Sequence, residues 1–529
     1  MQPAVSKTRS FSTVFLIEMW ERFGYYGMQA LIIYYMVERL GFKDTPANLT
    51  WGAAAALIYV SPAIGGWVGD KVLGTRRTML LGAIVLSVGY ALMVVPAASS
   101  AFLFLALGVI VVGNGLFKAN AGNLVRKIYE GDDSRIDSAF TLYYMAVNIG
   151  STFSMLLTPV IKNYFNAPFH GQMTWLLGNS ASNFFGDGLG WHVAFAVCCA
   201  GLLVGLGNYA VMRHTLSHIG SEPDHQPFEP WKLLAVLAGG AAVVFLSAII
   251  LRYGTVAKIF VYVAGACVLA IFAWLIAKSS RSEKPGLIIA LVLVIETVFF
   301  FIFYQQMSTS LNLFALRDVD PAFRLFGVHL FDWDPAQFQA LNPLWIFALS
   351  PILALIYTRF ARRGRDFSIA AKFALGFAAV AVGFFVYGAA DLFTTSPGKT
   401  SQWIMVGGYG FGALGELLTS GLGLAFVARY VPARMGGFMM GAYFVASGVS
   451  QYLGGVVATF ASVPDTITDP VQMMPIYTRL FDALGVAGIV CTAIALAVLP
   501  IMRKLDAQHA AHAALPPAAE GLPTVAAEQ

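Results

Sequence analysis

Long apolar runs separated by short polar or charged joints set the pattern of this chain. At roughly 20 residues per crossing of a bilayer core, they predict helices near 14–41, 50–73, 78–96, 101–127, 137–164 and 191–212. An acidic, proline-bearing joint at 221–230 precedes runs at 231–251 and 257–278. Six more runs follow, near 285–314, 338–359, 367–390, 401–430, 434–460 and 476–502. The pattern reads as two groups of six helices with a pair inserted between them. The expected fold class is therefore an all-α integral membrane protein with fourteen spans. The expected units are an N-terminal six-helix bundle at 1–213, a linker with two additional helices at 214–284 and a C-terminal six-helix bundle at 285–504. Residues 505–529, rich in alanine and proline, read as a disordered tail. The inserted pair carries Ala, Val, Leu and Ile on nearly every face and is expected to lie outside the working core.

Composition agrees with that reading. Hydrophobic residues make up 58% of the 529 and charged residues 12%, against about 25% charged in soluble domains. The first apolar run lacks a small-residue cleavage site and is expected to stay as a span. Four cysteines, Cys198, Cys199, Cys267 and Cys491, sit in apolar runs without metal-ligand spacing and read as packing residues, so no metal is expected. The net charge of +5 comes from Lys and Arg spread over short loops, which signals topology rather than a nucleic-acid partner. Placing the N-terminus in the cytoplasm puts most of these cations on that side, the richest joint being Arg359, Arg362, Arg363 and Arg365. Both termini are therefore expected to be cytoplasmic. No His/Cys metal spacing, Gly-rich phosphate loop or paired nucleophile and base is present, so an enzyme is not expected.

The informative residues are charges inside the spans. Glu18, Glu21 and Arg22 share one turn of the first helix, where an ionised group costs roughly 2.5 to 3.5 kcal/mol on insertion scales. Glu18 with Arg22, Glu21 with Tyr25 and Arg22 with Tyr26 are i,i+4 pairs, and Gln29 continues the row from Tyr25. Lys118 lies alone in the fourth span; Tyr144 and Asn148 are i,i+4 in the fifth. In the second half Glu416 and Ser420 are i,i+4, and Asn342 precedes Pro343 at a helix start. A lone lysine and a lone glutamate in separate halves offer a cation to a carboxylate and an anion to an ammonium, which suits a zwitterion. Glu296, nine residues before Gln305, reads equally as a second proton carrier or a buried structural carboxylate. All eight histidines fall in loops, tails or span ends, so any proton coupling rests on carboxylates.

Two resemblances sharpen this. The joint GGWVGDKVLGTRR, Gly65 to Arg77, resembles the loop signature of the major facilitator superfamily, where Asp70 would latch one helix to its neighbour. EMWERFGYYG (Glu18 to Gly27), YYMAVNIGS (Tyr143 to Ser151), GNGLFKAN, NPLWIFALSP and GELL resemble, in order, motifs of the proton-dependent oligopeptide transporter (POT) family of that superfamily, bacterial branch. The resemblance implies the major facilitator fold and import of di- and tripeptides driven by the proton gradient, with no cofactor, by a monomer in the bacterial inner membrane. Glu18, Glu21, Arg22 and Glu416 would couple protons. Arg22, Tyr25, Tyr59, Lys118, Tyr144 and Asn148 would form one pocket wall, and Asn342, Glu416, Ser420 and Tyr443 the other. The peptide carboxylate would face Arg22 and Lys118, and its amine Glu416 and Asn342.

The sequence also departs from the family pattern. Ala119 and Gly421 stand where proline is usual, and Tyr443 where tryptophan is common. Gln29 and Gln305 replace an ion pair with two amides, so the expectation is a hydrogen-bonded, pH-insensitive gate on the periplasmic side. A proton-coupled carrier of nitrate or another small anion, and a peptide receptor that does not transport, are the alternatives.

Overall fold

The computed structural model describes residues 6–97, 99–166, 188–363, 368–419, 429–432 and 435–513. Each apolar run overlaps a helix whose described ends lie within about seven residues of the hydropathy breaks, except where noted below. The first bundle comprises α1 (Lys7–Tyr34), α2 (Asp44–Lys71), α3 (Thr75–Val94), α4 (Ser100–Ile128), α5 (Asp133–Asn166) and α6 (Leu189–Met212). The inserted pair is α7 (Pro230–Arg252) and α8 (Gly254–Lys278). The second bundle comprises α9 (Lys284–Gln305), α10 (Leu341–Ala361), α11 (Ile369–Gly388), α12 (Trp403–Thr419), α13 (Gly436–Ala458) and α14 (Pro470–Ala513). Twelve helical segments among the described residues are long and apolar enough to cross a membrane. The other two helices are α1, which carries the charged turn, and α12, described for 17 residues. This is the fourteen-helix pattern read from hydropathy.

Within the first bundle α1 packs on α5 and α6, and α4 on α2 and α3; in the second, α11 packs on α12 and α14, and α9 on α13. The halves meet chiefly along α2 and α13, with α5 against α10 and the turn before it. The inserted pair lies outside this core, as expected, and straddles it. α7 rides on α4 and α8 on α13. Ile250, Leu251, Ala257 and Val261 join the first bundle's core, and Val268, Phe272 and Leu275 the second's. The outward faces of the pair, including Leu234, Phe245, Ile259 and Trp274, are exposed, which an apolar solvent stabilises.

An even number of crossings puts Lys7 and Ala513 at one end of the bundle, called proximal here; the other end is distal. Distally the halves are tied by several polar contacts. Arg317 donates to both oxygens of Asp44, at 2.5 and 2.7 Å, and Asp44 also accepts from the Val463 amide at 2.9 Å. Asp334 accepts from Asn163 at 2.5 Å and pairs with Lys162 at 3.5 Å. Tyr34 donates to the Asn312 carbonyl at 2.8 Å, and Thr45 to Ser462 at 2.9 Å.

Three features depart from the hydropathy reading. The ninth run is not one helix: α9 stops at Gln305, passes through a 3-10 turn at Gln306–Ser308 and resumes at Ser310–Asp318. Two small antiparallel hairpins sit distally, β1 (Ala322–Leu325) with β2 (Val328–Asp332), and β3 (Thr394–Ser396) with β4 (Lys399–Thr400). The tail expected to be disordered from 505 begins as helix, since α14 runs to Ala513. Alanine is the strongest helix former, and Tyr430 and Arg429 hold Asp506 from across the bundle. Residues 514–529 lie outside the described residues.

The linker is likewise bound at its start. Asp224 accepts from the amides of Arg76 (3.0 Å) and Arg77 (3.2 Å), satisfying donors that the first turn of α3 leaves unpaired. Asp70, expected as a latch, accepts from Asn123 of α4 at 2.8 Å.

Candidate functional site

The charged turn of α1 faces inward. Glu18, Glu21 and Arg22 are 2%, 0% and 3% exposed, so no charge meets lipid. Arg22 Nε lies 3.0 Å from Glu18 Oε1 and 2.6 Å from Glu21 Oε2. Glu21 Oε1 and Arg22 Nη2 have no hydrogen-bond partner among the described residues. The arginine thus offsets one of the two carboxylate charges, and the cluster leaves bonding capacity unused. α5 can lie this close because of Gly150: a Cβ there would come within 3.2 Å of Arg22 Cβ and would overlap the Met19 carbonyl. That gives a packing reason for the glycine in YYMAVNIGS.

Aromatic rings carry the cations toward the seam between the halves. The Arg22 guanidinium stands 5.4 Å from the Tyr25 ring, and Lys118 Nζ 4.5 Å from the Tyr59 ring, cation–π distances at which a desolvated pair gains about 2 kcal/mol. Tyr59 also lies in electrostatic range of both Arg22 and Glu416, and its ring meets Phe301 of α9 at 6.0 Å. Tyr59 therefore lies within reach of both the cations of the first half and Glu416 of the second.

The second-half wall is built differently. Glu416 is 8% exposed, and its hydrogen-bond partners are neutral. Asn342 Nδ2 donates to its Oε2 at 2.8 Å, and the Tyr144 hydroxyl of the opposite half donates to Oε1 at 3.2 Å. The start of α10 at Leu341 places Asn342. Counting Glu18, Glu21, Arg22, Lys118 and Glu416, three acids face two bases, so one added proton makes the site neutral.

The expected residues are mostly gathered here. Glu18, Glu21, Arg22, Tyr25, Tyr59, Lys118, Tyr144, Asn342 and Glu416 converge as described. Tyr443 is buried within electrostatic range of Tyr59. Asn148 is buried, with its amide donating to the Tyr144 carbonyl of its own helix at 2.8 Å. Ser420 lies outside the described residues. Glu296 lies apart, on the α9 face turned toward Cys491 of α14, and its buried Oε2 has no hydrogen-bond partner among the described residues.

Among the described residues no hydrogen bond joins Gln29 to Gln305 in this conformation, and Gln305 Nε2 is buried without a hydrogen-bond partner. The cause is local: Gly454 of α13 brings its backbone onto Gln305, where a Cβ would stand 2.5 Å from Gln305 Cβ. The next residue, Gln306, donates to the Gly454 carbonyl at 3.0 Å. The end of α9 is thus drawn toward α13, and the distal ties above join the halves instead.

Residues not singled out as site members also line the site. Tyr26 and Tyr304 lie in electrostatic range of Glu416, Tyr143 is hydrogen-bonded to Glu18, and Met307 Sδ is 3.8 Å from Asn342 Nδ2. Tyr26 sits on the polar stripe of α1 and Tyr143 opens its motif, so both were within reach of the sequence. Tyr304 and Met307 flank the break after α9, which apolar periodicity does not reveal.

The sequence profile of the POT family matches residues 76–479. The chain belongs to the POT family. The charged turn of α1 lies outside the matched stretch, so the family assignment does not depend on the motif that first suggested it. Across 94% of this chain and 96% of the relative, it is 42% identical to dipeptide and tripeptide permease B of Edwardsiella piscicida. The permease of the same name from Salmonella typhimurium is 41% identical over 95% of this chain and 96% of its own. Among solved structures, tetrameric PepTSo2 superposes with a TM-score of 0.84 at 63% identity, covering 95% of this chain and 100% of that one. A POT in complex with sulfate superposes at 0.73 with 27% identity, over 94% of this chain and 95% of that one. The two-bundle architecture is thus that of POT transporters.

Proposed function

We propose that this POT protein is a proton-coupled symporter that imports di- and tripeptides across the bacterial inner membrane by alternating access. The observation that carries this reading is Glu416: a carboxylate held by neutral donors from both halves, in electrostatic range of Tyr59, whose ring carries Lys118 and which also lies in range of Arg22. A site with cations on one wall and a carboxylate on the other fits both ends of a short zwitterion. The permease names of the relatives support the same substrate.

In the proposed cycle Arg22 is held by Glu18 and Glu21 in the absence of peptide. A proton on either acid releases the guanidinium to meet the peptide carboxylate, while the peptide amine takes Glu416 and Asn342. Proton and peptide shift the balance of states only through their different affinities for each. Loss of the proton to the cytoplasm restores the internal pairs and expels the peptide. With both termini cytoplasmic, the distal ties lie on the periplasmic side, and the conformation is one closed to the periplasm. Both pocket walls come from one chain, so each copy carries a complete pathway, whether alone or in a tetramer like that of PepTSo2.

The test is uptake into proteoliposomes under an imposed pH gradient, with dialanine, trialanine, alanine and nitrate as competitors. Competition by the two peptides only, with accumulation that collapses with the gradient, is expected. Competition by nitrate would establish the anion carrier, and saturable binding without uptake the receptor.

A further inference from the structure

The β1–β2 hairpin combines exposure with strain in a way the transport cycle does not use. Its turn is Phe326-Gly327, with φ of +50° and +82°. Two-residue hairpin turns of this kind favour Asn, Asp or Gly at the first position, and a bulky residue there is an outlier. Here the position holds phenylalanine, 97% exposed. A strained backbone that presents a bare aromatic ring calls for an interaction that stabilises it.

The two faces of the hairpin differ in character. Alternation puts Phe323 and Leu325 on one face of β1; they pair with Phe331 and Val328, and the bulge opposite Phe323 and Arg324 takes up the odd residue between those two partners. The Phe323 and Phe331 rings stack at 4.9 Å. The opposite face carries the Arg324–His329 pair, and His329 bonds Asp332 at 2.8 Å. Leu325, Val328, Leu330 and Phe331 are all exposed.

The root of the hairpin lies at the level of the helix ends. Trp403, the first residue of α12, donates to the Arg324 carbonyl at 3.1 Å and its ring meets Phe323 at 5.2 Å. Leu392 and Phe393, just past α11, are exposed, and the Phe393 carbonyl accepts from the amide of Ser401, two residues before Trp403; Val382 within α11 is exposed as well. The apolar face therefore continues the outer surface that α11 and α12 present to lipid.

We propose that the β1–β2 hairpin lies on the distal leaflet of the bilayer, with Phe326 and the Phe323–Phe331 face in the acyl–headgroup boundary and Arg324 and His329 toward water. The partner is the lipid surface itself: an amphipathic element next to a lipid-facing belt matches the polarity gradient there, where aromatic rings are favoured. Leaflet contact would brace the segment between Asp318 and Pro335, which carries Asp334 and adjoins Arg317, both distal ties between the halves.

The test uses the full-length chain with its four cysteines replaced, Phe326→Cys carrying a nitroxide, in lipid nanodiscs. Collision with oxygen should exceed collision with a water-soluble nickel chelate at least several-fold, and His329→Cys should show the reverse preference. Ready access of the chelate to position 326 would overturn the proposal. So would shielding from both reagents, which would mean that another protein chain covers the tip. If the cysteine-free chain fails to fold, amide exchange of the wild type decides. Slower exchange at 325–330 in nanodiscs than in amphipol supports leaflet contact, and equal exchange overturns it.

Discussion

The two walls of the pocket handle charge by opposite means. In the first half, Glu18 and Glu21 share one arginine, Arg22, on their own helix through contacts of 3.0 Å or less. In the second half, Glu416 relies on two neutral donors, one of them from the facing wall. A self-paired cluster changes state when a proton or an anion competes for its arginine. A carboxylate held by neutral donors changes state when a cation arrives, and its bond to Tyr144 lets it register the approach of the halves. In the proposed cycle the first wall acts as the switch and the second as the sensor of occupancy.

The largest break in that comparison is Glu21→Gln. It removes the charge closest to Arg22 and leaves the cluster one proton-binding group short. Gradient-driven accumulation of dialanine should fall at least about a hundredfold, the scale of a buried pair losing one partner at about 3 to 5 kcal/mol. Counterflow exchange, which needs no net proton movement, should persist. Full accumulation by the variant would show that the cluster is structural.

Glu416→Gln comes next. The amide keeps the shape and can still bond Asn342 and Tyr144, but it offers no charge to an ammonium. Charge-assisted hydrogen bonds contribute about 1.5 to 3 kcal/mol, so the KM for dialanine should rise roughly ten- to a hundredfold. The gradient dependence of the remaining uptake should survive. If coupling vanished and KM did not change, the roles assigned to the two walls would be exchanged.

The strongest tie across the seam lies in neither wall. Asp44 bonds both guanidinium nitrogens of Arg317 and the Val463 amide, and Asp44→Asn strands a half-buried cation. A loss of about 3 kcal/mol would move the equilibrium between distal-closed and distal-open states roughly a hundredfold. Distances between spin labels on the distal ends of α2 and the Ser310–Asp318 helix would report it. Peptide KM should move far less than in Glu416→Gln; an equal rise would mean that the distal rim touches substrate.

The contrast explains what the sequence could reveal. Charges within one turn of one helix, such as Glu18 to Arg22, are legible because helical spacing alone brings them together. Lys118 and Glu416 stood out because a charge in an apolar run is costly. The partners of Glu416 lie 272 and 74 residues away in sequence, and only the family pattern pointed to them. The Asp44–Arg317 and Lys162–Asp334 ties left no trace, since charges at span ends are ordinary. The break after Gln305 lies in the polar run QQMSTS, Gln305 to Ser310, inside the ninth apolar run, and the β1–β2 hairpin lies in the joint that follows, where a bulge interrupts the alternation that would mark strands.

Smaller still should be Tyr144→Phe, which deletes the neutral cross-seam donor at 3.2 Å. A loss of about 1 kcal/mol corresponds to a fivefold change, in the equilibrium between states rather than in the dialanine affinity of either state. Asn342→Ala, with both partners in one half, should raise KM instead. If both variants altered affinity alike, Glu416 would not be sensing the seam.

The smallest effect is expected from Gln29 and Gln305. Two amides stand where the family has an ion pair, but Gln305 packs on Gly454 and its Nε2 has no hydrogen-bond partner among the described residues. A double-mutant cycle with Gln29→Ala and Gln305→Ala, read as the stability of the distal-closed state, should give a coupling below about 0.5 kcal/mol, the limit for residues that do not interact. Gln305→Ala alone should be neutral or slightly stabilising, because it removes a buried donor without a partner. A coupling above about 1 kcal/mol would mean that the amides do pair as the distal side closes. Distal closure would then rest partly on α1, the helix that carries the proton switch, and the separation between switch and seam would fail.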